Sequence, residues 1–255
     1  MTDPIYKWWH DAIIYEIYPK SFHKTSELGG IIPGIDAKLS YLKELGVDAL
    51  CLCPIFMSPF KDIGYYVGDY SKINQEFGTL HEFEALIRHA HELGIRIILD
   101  MVINHTSITH PWFQSACASK ESPYRDYYIF REGNDDNLPN NWISSKTLGP
   151  VWTRNTESQD YYLHIYTKYQ PDLNWENPAL REEIYKMLRF WLNKGVDGYR
   201  LDVINKIAKK KGLPDYHGDS EHPYADCMYE NNINVHGYIR EMREAVFKHY
   251  PESLV

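Results

Sequence analysis

Hydrophobic and polar positions along the chain repeat one arrangement, in which an amphipathic helix is followed by a glycine and a short apolar strand. Apolar residues recur every three or four positions in the helical segments, and they run almost without interruption through the strands. The pattern predicts helices over residues 35–45, 79–93 and 177–194, and strands over residues 13–18, 47–53, 95–100 and 195–203.

The predicted helices carry local signals at their ends. Gly46 follows the first helix, at the position where a left-handed residue commonly ends a helix. Thr79 and Glu82 have the spacing of a capping box, and Asn177 followed by Pro178 is a typical helix start. These signals support the predicted alternation of helices and strands.

Strands separated by single helices favour a parallel sheet, which is either an open doubly wound sheet or a barrel. Polar residues follow the strands in turn: Asp62 and Tyr65 after the second, Asp100, Asn104 and His105 after the third, and Arg200 and Asp202 at the fourth. A rim built from several strand ends is typical of a barrel, although an open sheet also binds ligands at that edge. No G-x-G-x-x-G motif follows these strands, which disfavours dinucleotide binding.

The fourth strand places a cation beside a carboxylate. Side chains alternate between the two faces of a strand, so Arg200 and Asp202 project from the same side. A neighbouring guanidinium favours the ionised form of a carboxyl group, and an ionised carboxylate can serve as a nucleophile. Taken alone, the pair is better interpreted as an ordinary ion pair at the end of a strand.

Composition excludes several classes of protein. The chain has 255 residues, 44% of them hydrophobic, which is enough for a sizeable core, and a formal net charge of -8. The acidic balance argues against a nucleic-acid partner, and the run Lys209–Lys211, with Lys206 before it, is predicted to be a solvated helix end. Apolar segments of membrane-spanning length and a secretory signal are not found, so we predict a cytoplasmic protein with no membrane partner.

The four cysteines have no metal-knuckle spacing, and buried free thiols are expected at Cys51, Cys53, Cys117 and Cys227. Aromatic residues make up 15% of the chain, which suits a site for sugar rings and is explained equally well by core packing. The segment between His105 and Gln170 is too long for an ordinary connection, so we expect a subdomain over the rim.

Five motifs in order give the chain a resemblance to glycoside hydrolase family 13, the α-amylase family, and within it to the oligo-1,6-glucosidase and α-glucosidase branch. The motifs are IYPKSF at 17–22, DIGY at 62–65, DMVINH at 100–105, QPDLNW at 170–175 and GYRLD at 198–202. The resemblance implies an α/β fold, the first half of a (β/α)8 TIM barrel with a small subdomain inserted after strand three. Residues 1–105 would carry strands one to three, 106–172 the subdomain, and 173–255 unit four and the approach to strand five.

The resemblance also implies roles for individual residues. Asp202 would be the nucleophile that forms a covalent glucosyl-enzyme, oriented and kept ionised by Arg200. Asp62, Tyr65 and His105 would hold the non-reducing glucose, with Tyr65 stacking on the sugar. Asp100 and Asn104 would support the rim by hydrogen bonds rather than take part in the chemistry.

Two features depart from the resembled branch. Many relatives hold a divalent cation in an aspartate-rich loop after strand one, whereas residues 24–31 contain one carboxylate and a lysine, so we predict no metal there and no cofactor. Retaining hydrolysis also needs a second carboxyl group as general acid, which the family carries at the end of strand five. A helix predicted over 235–250 leads only to the entrance of that strand, and Glu252 precedes it. We therefore expect an amino-terminal fragment of a hydrolase, inactive alone, whose parent acts on oligosaccharides.

Val203, directly after the expected nucleophile, goes with a preference for α-1,6 linkages in the resembled branch, as in hydrolysis of isomaltose. Two alternatives stay open. One is a sucrose isomerase or trans-glucosidase of the same family. The other is a non-catalytic family member that acts as a binding subunit, although such proteins carry a membrane helix before the barrel and usually lose the nucleophile.

Overall fold

The computed structural model describes residues 6–22, 30–59, 64–133, 137–218 and 224–255. The strands are β1 (Ile14–Ile17), β2 (Ala49–Leu52), β3 (Phe56–Met57), β4 (Asp69–Ile73), β5 (Arg96–Val102), β6 (Phe130–Arg131), β7 (Trp152–Arg154), β8 (Tyr161–Leu163) and β9 (Gly198–Asp202). The α-helices are α1 (Pro19–Phe22), α2 (Ile31–Asp36), α3 (Leu39–Glu44), α4 (Leu80–Glu92), α5 (Pro111–Ala118), α6 (Pro178–Asn193), α7 (Asp226–Tyr229) and α8 (Asn234–Ala245). Short 3-10 turns lie at Trp8–His10, Arg125–Tyr127, Ile204–Lys206 and Phe247–His249.

The central sheet has four parallel strands in the order β1-β2-β5-β9. Its two faces differ because side chains alternate along each strand. Leu50 and Leu52 of β2 belong to the main core, which also contains the buried faces of α4 and α6. Ala49 and Cys51 pack with Ile98 in a separate small cluster on the other face. This strand order is the one expected for the first half of a barrel.

Leu254 continues the sheet beyond β9. Its N–H donates to the carbonyl of Asp197 at 3.0 Å, and its carbonyl accepts from the N–H of Tyr199 at 2.8 Å, which forms a parallel bridge. A Cβ atom at Gly198 would lie 2.2 Å from the Leu254 carbonyl oxygen, so this close approach requires glycine. Leu254 therefore pairs beside β9, and the approach to a fifth strand stays a prediction.

The helix boundaries agree in part with the periodicity. In α4 the capping box joins Thr79 and Glu82 as predicted, and Asn177 caps α6 ahead of Pro178. The single helix predicted over 35–45 is wrong, because the chain forms α2 and α3, and a tight bond from the N–H of Lys38 to the Ile35 carbonyl at 2.9 Å separates them. The helix predicted over 235–250 also ends early, with α8 giving way to a 3-10 turn.

The long segment after β5 folds around a small antiparallel sheet in the order β6-β8-β7. Its own core contains Trp142 and Trp152, and residues that follow β9, including Tyr229, join that core. The indole Nε1 of Trp142 donates to the carbonyl of Pro214 at 2.8 Å, which ties the two segments together. The division at residues 106–172 and 173–255 stays a prediction.

Two predictions about single residues need correction. Lys206 and Lys209 are buried, so only Lys210 and Lys211 form an exposed surface, and the run is not a solvated helix end. All four cysteines are free, but Cys227 is exposed and Cys117 is half-buried. No helix in the described part of the chain has the length and apolar content needed to cross a membrane.

Candidate active site

The register of β5 and β9 brings three charged side chains together at the carboxyl end of the sheet. Asp100 is the Cα partner of Arg200, and Val102 is the partner of Asp202. Because side chains two positions apart share a face, Asp202 follows Arg200 on the side that carries Asp100. The Arg200 guanidinium forms an ion pair with Asp100 Oδ2 and another with Asp202 Oδ1 at 3.1 Å.

Asp100 is fully buried, and its two carboxylate oxygens have different surroundings. Oδ2 accepts hydrogen bonds from Arg200 and, at 2.8 Å, from the Tyr65 hydroxyl. Oδ1 is buried with no hydrogen-bond partner among the described residues. Burial raises the pKa of Asp100 to about 6, although the bonds from Tyr65 and Arg200 act in the opposite direction.

Asp202 is less enclosed, with 14% of its side chain exposed. Burial raises the pKa of Asp202 above its usual range, and the charge and hydrogen bond of Arg200 oppose that rise. The pairing predicted from strand alternation is therefore present. Because Arg200 is shared with Asp100, its effect on Asp202 does not cancel the cost of burial.

His105 lies in a buried polar cluster behind the rim. Its Nδ1 faces Asn104 Nδ2 at 3.2 Å, and its Nε2 faces Gln170 Nε2 at 3.0 Å and the Tyr65 carbonyl at 3.2 Å. With 2% of the residue exposed, burial lowers the pKa of His105 to about 4. The imidazole is therefore neutral at physiological pH, and it is suited to hydrogen bonding rather than to charge pairing.

A buried ion pair contacts Asn104, the neighbour of His105 in this polar cluster. Lys209 Nζ lies 2.8 Å from Asp172 Oδ1 and 3.0 Å from Asn104 Oδ1.

Sequence reasoning assigned no role to Lys209, Asp172 or Gln170. Asp172 and Gln170 stand in a quoted motif, and that was the available signal. Lys209 gave a misleading one, because a lysine run is usually solvent-exposed.

Val203 has an unusual backbone at the junction between β9 and the following turn. Its φ of 46° and ψ of 36° lie in the left-handed region. A β-branched residue is rarely found there, because its side chain crowds the backbone. Such strain commonly accumulates at functional sites, and here it directly follows Asp202.

Asp62 and most of the loop over 24–31 lie outside the described residues, so their predicted roles stay predictions. Among the described residues, Glu16, Cys53 and Asp100 offer possible metal-ligand atoms within 4.8 Å of one another. Burial raises the pKa of the Cys53 thiol to about 11, with Glu16 adding to the rise, so the thiolate is disfavoured. Because Arg200 already pairs with Asp100, a cation there would face an adjacent positive charge.

Arg200 and Asp202 present one partly exposed carboxylate at the carboxyl end of the sheet, and Asp100 and Tyr65 bond the same guanidinium. A carboxylate of this kind can attack an electrophilic carbon or stabilise a developing positive charge. The Tyr65 hydroxyl is held by Asp100, and the His105 ring is held by Asn104.

Residues 16–255 match the sequence profile of the alpha amylase catalytic domain. An oligo-1,6-glucosidase from Halalkalibacterium halodurans is 47% identical over 247 residues, which is 96% of this chain and 44% of the relative. The chain thus spans about half the length of the curated relatives it matches.

Solved structures show the same relationship. The crystal structure of trehalose-6-phosphate hydrolase from Bacillus licheniformis superposes with a TM-score of 0.91 at 44% identity, covering 98% of this chain and 44% of the other. A structure of the trehalulose synthase MutB also gives a TM-score of 0.91 at 43% identity, with 98% and 45% coverage. The expected fold, the first half of a (β/α)8 barrel with a segment inserted after the third barrel strand, is confirmed.

Proposed function

Because the chain belongs to the α-amylase family of glycoside hydrolases, we propose that it carries the nucleophile half of a retaining α-glucosidase site. The observation that carries the proposal is the position of Asp202 at the carboxyl end of β9, half-buried and 3.1 Å from Arg200. The substrate class we propose is short α-linked oligosaccharides.

The proposed reaction has two steps. A carboxylate oxygen of Asp202 attacks the anomeric carbon, the bond to the glycosidic oxygen breaks, and that oxygen takes a proton from a general acid. The acid group, now a base, then removes a proton from water, which attacks the same carbon and releases Asp202 as a carboxylate. Arg200 favours Asp202 in the ionised form that the first step requires.

The general acid in this proposal lies beyond Val255. Asp100 is a poor candidate, because Oδ2 is bound by Arg200 and Tyr65 and the residue is fully buried. General acid catalysis alone contributes on the order of 10²- to 10⁴-fold. The 255 residues alone are therefore proposed to be inactive, and measurable glucose release from isomaltose by this chain would contradict that.

Tyr65 and His105 are proposed to hold the non-reducing glucose, together with Asp62. The Tyr65 ring is half-buried and its hydroxyl is fixed on Asp100, which supports the proposal that the ring is held in place to stack on a sugar. Asp100 and Asn104 are proposed as supports, since Asp100 accepts a hydrogen bond from Tyr65 and Asn104 bonds His105.

Val203 is proposed to favour α-1,6 linkages. Its strained, left-handed backbone fixes a branched side chain directly beside the nucleophile, where it would restrict how the leaving sugar enters. We expect Val203→Thr in the full-length enzyme to raise the rate on maltose relative to isomaltose. Competition between the two sugars measures this ratio, and an unchanged ratio would exclude a role for Val203 in linkage choice.

The substrate itself needs a direct comparison, because the relatives carry different names. Isomaltose, trehalose 6-phosphate and sucrose should be supplied separately to the full-length enzyme and the products separated by chromatography. Glucose from isomaltose at the highest kcat/KM supports the proposed substrate class. Isomerised disaccharide from sucrose would favour the isomerase alternative.

Azide rescue tests the proposed role of Asp202. Asp202→Gly removes the nucleophile and leaves space for a small anion. With α-glucosyl fluoride as substrate, azide should restore turnover in the full-length variant and yield β-glucosyl azide, since azide enters from the face that Asp202 occupied. Failure of azide to rescue the variant, or an α-configured product, would contradict the proposal.

A further inference from the structure

Lys209 is a buried cation whose three N–H donors all have acceptors. The Lys209 side chain is 5% exposed. Its Nζ donates to Asp172 Oδ1 at 2.8 Å, to Asn104 Oδ1 at 3.0 Å and to the Lys206 carbonyl at 2.6 Å. Asp172 is fully buried as well, and its second oxygen accepts from the Ile165 N–H at 2.7 Å. Burying such a pair is costly, and a pair of this kind often serves to specify one arrangement.

This pair determines the orientation of the Asn104 side-chain amide. An ammonium group can only donate, so the atom of Asn104 that faces Lys209 must be the amide oxygen. A carboxylate can only accept, so the atom that faces Asp172 Oδ1 at 2.8 Å must be the amide nitrogen. Two formal charges thus exclude the flipped amide.

The orientation of Asn104 in turn determines the protonation of His105. One N–H of the Asn104 amide is used by Asp172, and the other points to His105 Nδ1 at 3.2 Å. Nδ1 must therefore accept, which places the single proton of the neutral ring on Nε2. Nε2 lies 3.2 Å from the Tyr65 carbonyl, an acceptor for that proton. The Gln170 amide, whose nitrogen faces Nε2 at 3.0 Å, must be flipped for this tautomer so that its oxygen accepts instead.

We propose that Lys209 is a positioning residue that, through Asp172 and Asn104, holds His105 as the neutral Nε2–H tautomer. The Nε2–H then bonds the Tyr65 carbonyl and so fixes the residue that is proposed to stack on the sugar. The proposal deepens the proposed function and rests on it for the sugar. The relay also joins three segments, since Lys209 follows β9, Asn104 follows β5 and Asp172 lies between β8 and α6.

The groups that face His105 come from each of these segments. They are Asp172 and Lys209, whose charges act in opposite directions on the His105 pKa, the Tyr166 ring at 5.2 Å, the Gln170 amide and the Tyr65 carbonyl. Removal of Lys209 alone leaves the Asp172 charge unbalanced. The pKa of His105 should then rise from about 4, and the amide of Asn104 becomes free to flip.

Nitrogen NMR of ¹⁵N-histidine-labelled full-length enzyme reads the tautomer directly, with His105→Gln identifying the resonance. Wild type should give one neutral Nε2–H species at pH 7. Lys209→Met should give a mixture of tautomers or a raised His105 pKa, and Lys209→Arg should restore the single tautomer. The double variant Lys209→Met/Asp172→Asn removes both charges, so it should fold and still lose the single tautomer. Lys206→Met is the matched control, because Lys206 is also buried but pairs with Glu230.

Kinetics supply the second measurement. Loss of the tautomer should raise KM for the sugar about tenfold with a smaller change in kcat, because the tautomer holds Tyr65, which is proposed to bind the sugar without taking part in bond breaking. A double variant that is folded and keeps one Nε2–H tautomer would overturn the relay. Since the tautomer is read without substrate, that result is distinct from a failure of azide rescue, which would reject the proposed function instead.

Discussion

Two aspartates lie at opposite ends of β9, Asp197 directly before the strand and Asp202 as its last residue. They differ in the number of hydrogen bonds that they accept. At the amino end, Asp197 accepts hydrogen bonds from the Ile97 N–H at 2.8 Å, from Arg96 at 3.0 Å and from the His91 ring at 2.7 Å. At the carboxyl end, Asp202 has Arg200 as its one partner found among the described residues, and Arg200 is shared with Asp100.

The contrast separates a structural carboxylate from a reactive one. An oxygen that already accepts its full set of hydrogen bonds stabilises the fold and has little capacity left for a ligand. Asp202 keeps unused acceptor capacity, and Asp100 Oδ1 is buried with no described partner. Both aspartates contact an arginine, so the presence of an ion pair does not distinguish them, but the number of donors does.

The largest expected effect comes from Asp202→Asn in the full-length enzyme. Loss of a nucleophile should lower kcat by about 10⁴-fold or more, since a group that acts in the bond-forming step has no substitute. Asp197→Asn, at the other end of the same strand, is the matched control and should leave kcat unchanged. Equal losses of kcat in the two variants would remove the distinction between the ends.

Arg200→Lys should have the next largest effect. Lysine offers a point charge in place of the planar fork, so it cannot hold Asp100 and Asp202 together. Since Arg200 lowers the pKa of Asp202 against the effect of burial, the acid limb of the kcat/KM profile should move to higher pH, with about a 10²-fold loss at pH 7. Arg96→Lys should leave the pH profile unmoved.

Asp197→Asn should reduce stability rather than activity. The amide keeps one acceptor oxygen for three donors, so we expect a loss of about 1 kcal/mol, which corresponds to a fall of about 2–4 °C in melting temperature. Differential scanning fluorimetry measures the change. An unchanged melting temperature would mean that the amino-end cluster contributes nothing to the fold.

The smallest expected effect is the pH dependence of the stability that the bond between His91 and Asp197 contributes. The hydrogen bond to Asp197 raises the pKa of His91 above its ordinary value of 6.5, against the effect of burial. The stabilisation is therefore fully present below about pH 6.5 and is lost as the pH rises through the raised folded pKa. The ring is 40% exposed, which keeps the effect modest. His91→Gln should flatten the melting-temperature curve over this range, and an identical curve for both proteins would contradict the assignment.

Sequence periodicity predicted the order and type of the barrel elements, because each is a local pattern of apolar residues with its own capping signal. The pairing of Arg200 with Asp202 also followed from strand alternation. The pairing of Arg200 with Asp100 could not be predicted in this way. It depends on the register between β5 and β9, and no local sequence pattern specifies that register.

Lys209 shows that composition alone does not predict whether a charged residue is buried. A run of lysines predicts a solvated surface, yet this one is buried because Asp172 and Asn104 supply acceptors from segments far away in the sequence. The break between α2 and α3 was likewise missed, since their combined apolar spacing is also compatible with one helix.

Covalent trapping tests the central claim, that Asp202 is the nucleophile, most directly. A 5-fluoroglucosyl fluoride forms a glycosyl-enzyme without needing a general acid for its leaving group, and its ring fluorine slows the second step. After incubation with the full-length enzyme, peptide mapping by mass spectrometry should locate the sugar on the peptide that contains Asp202. A sugar found on another carboxylate, or inactivation without any label, would contradict the account.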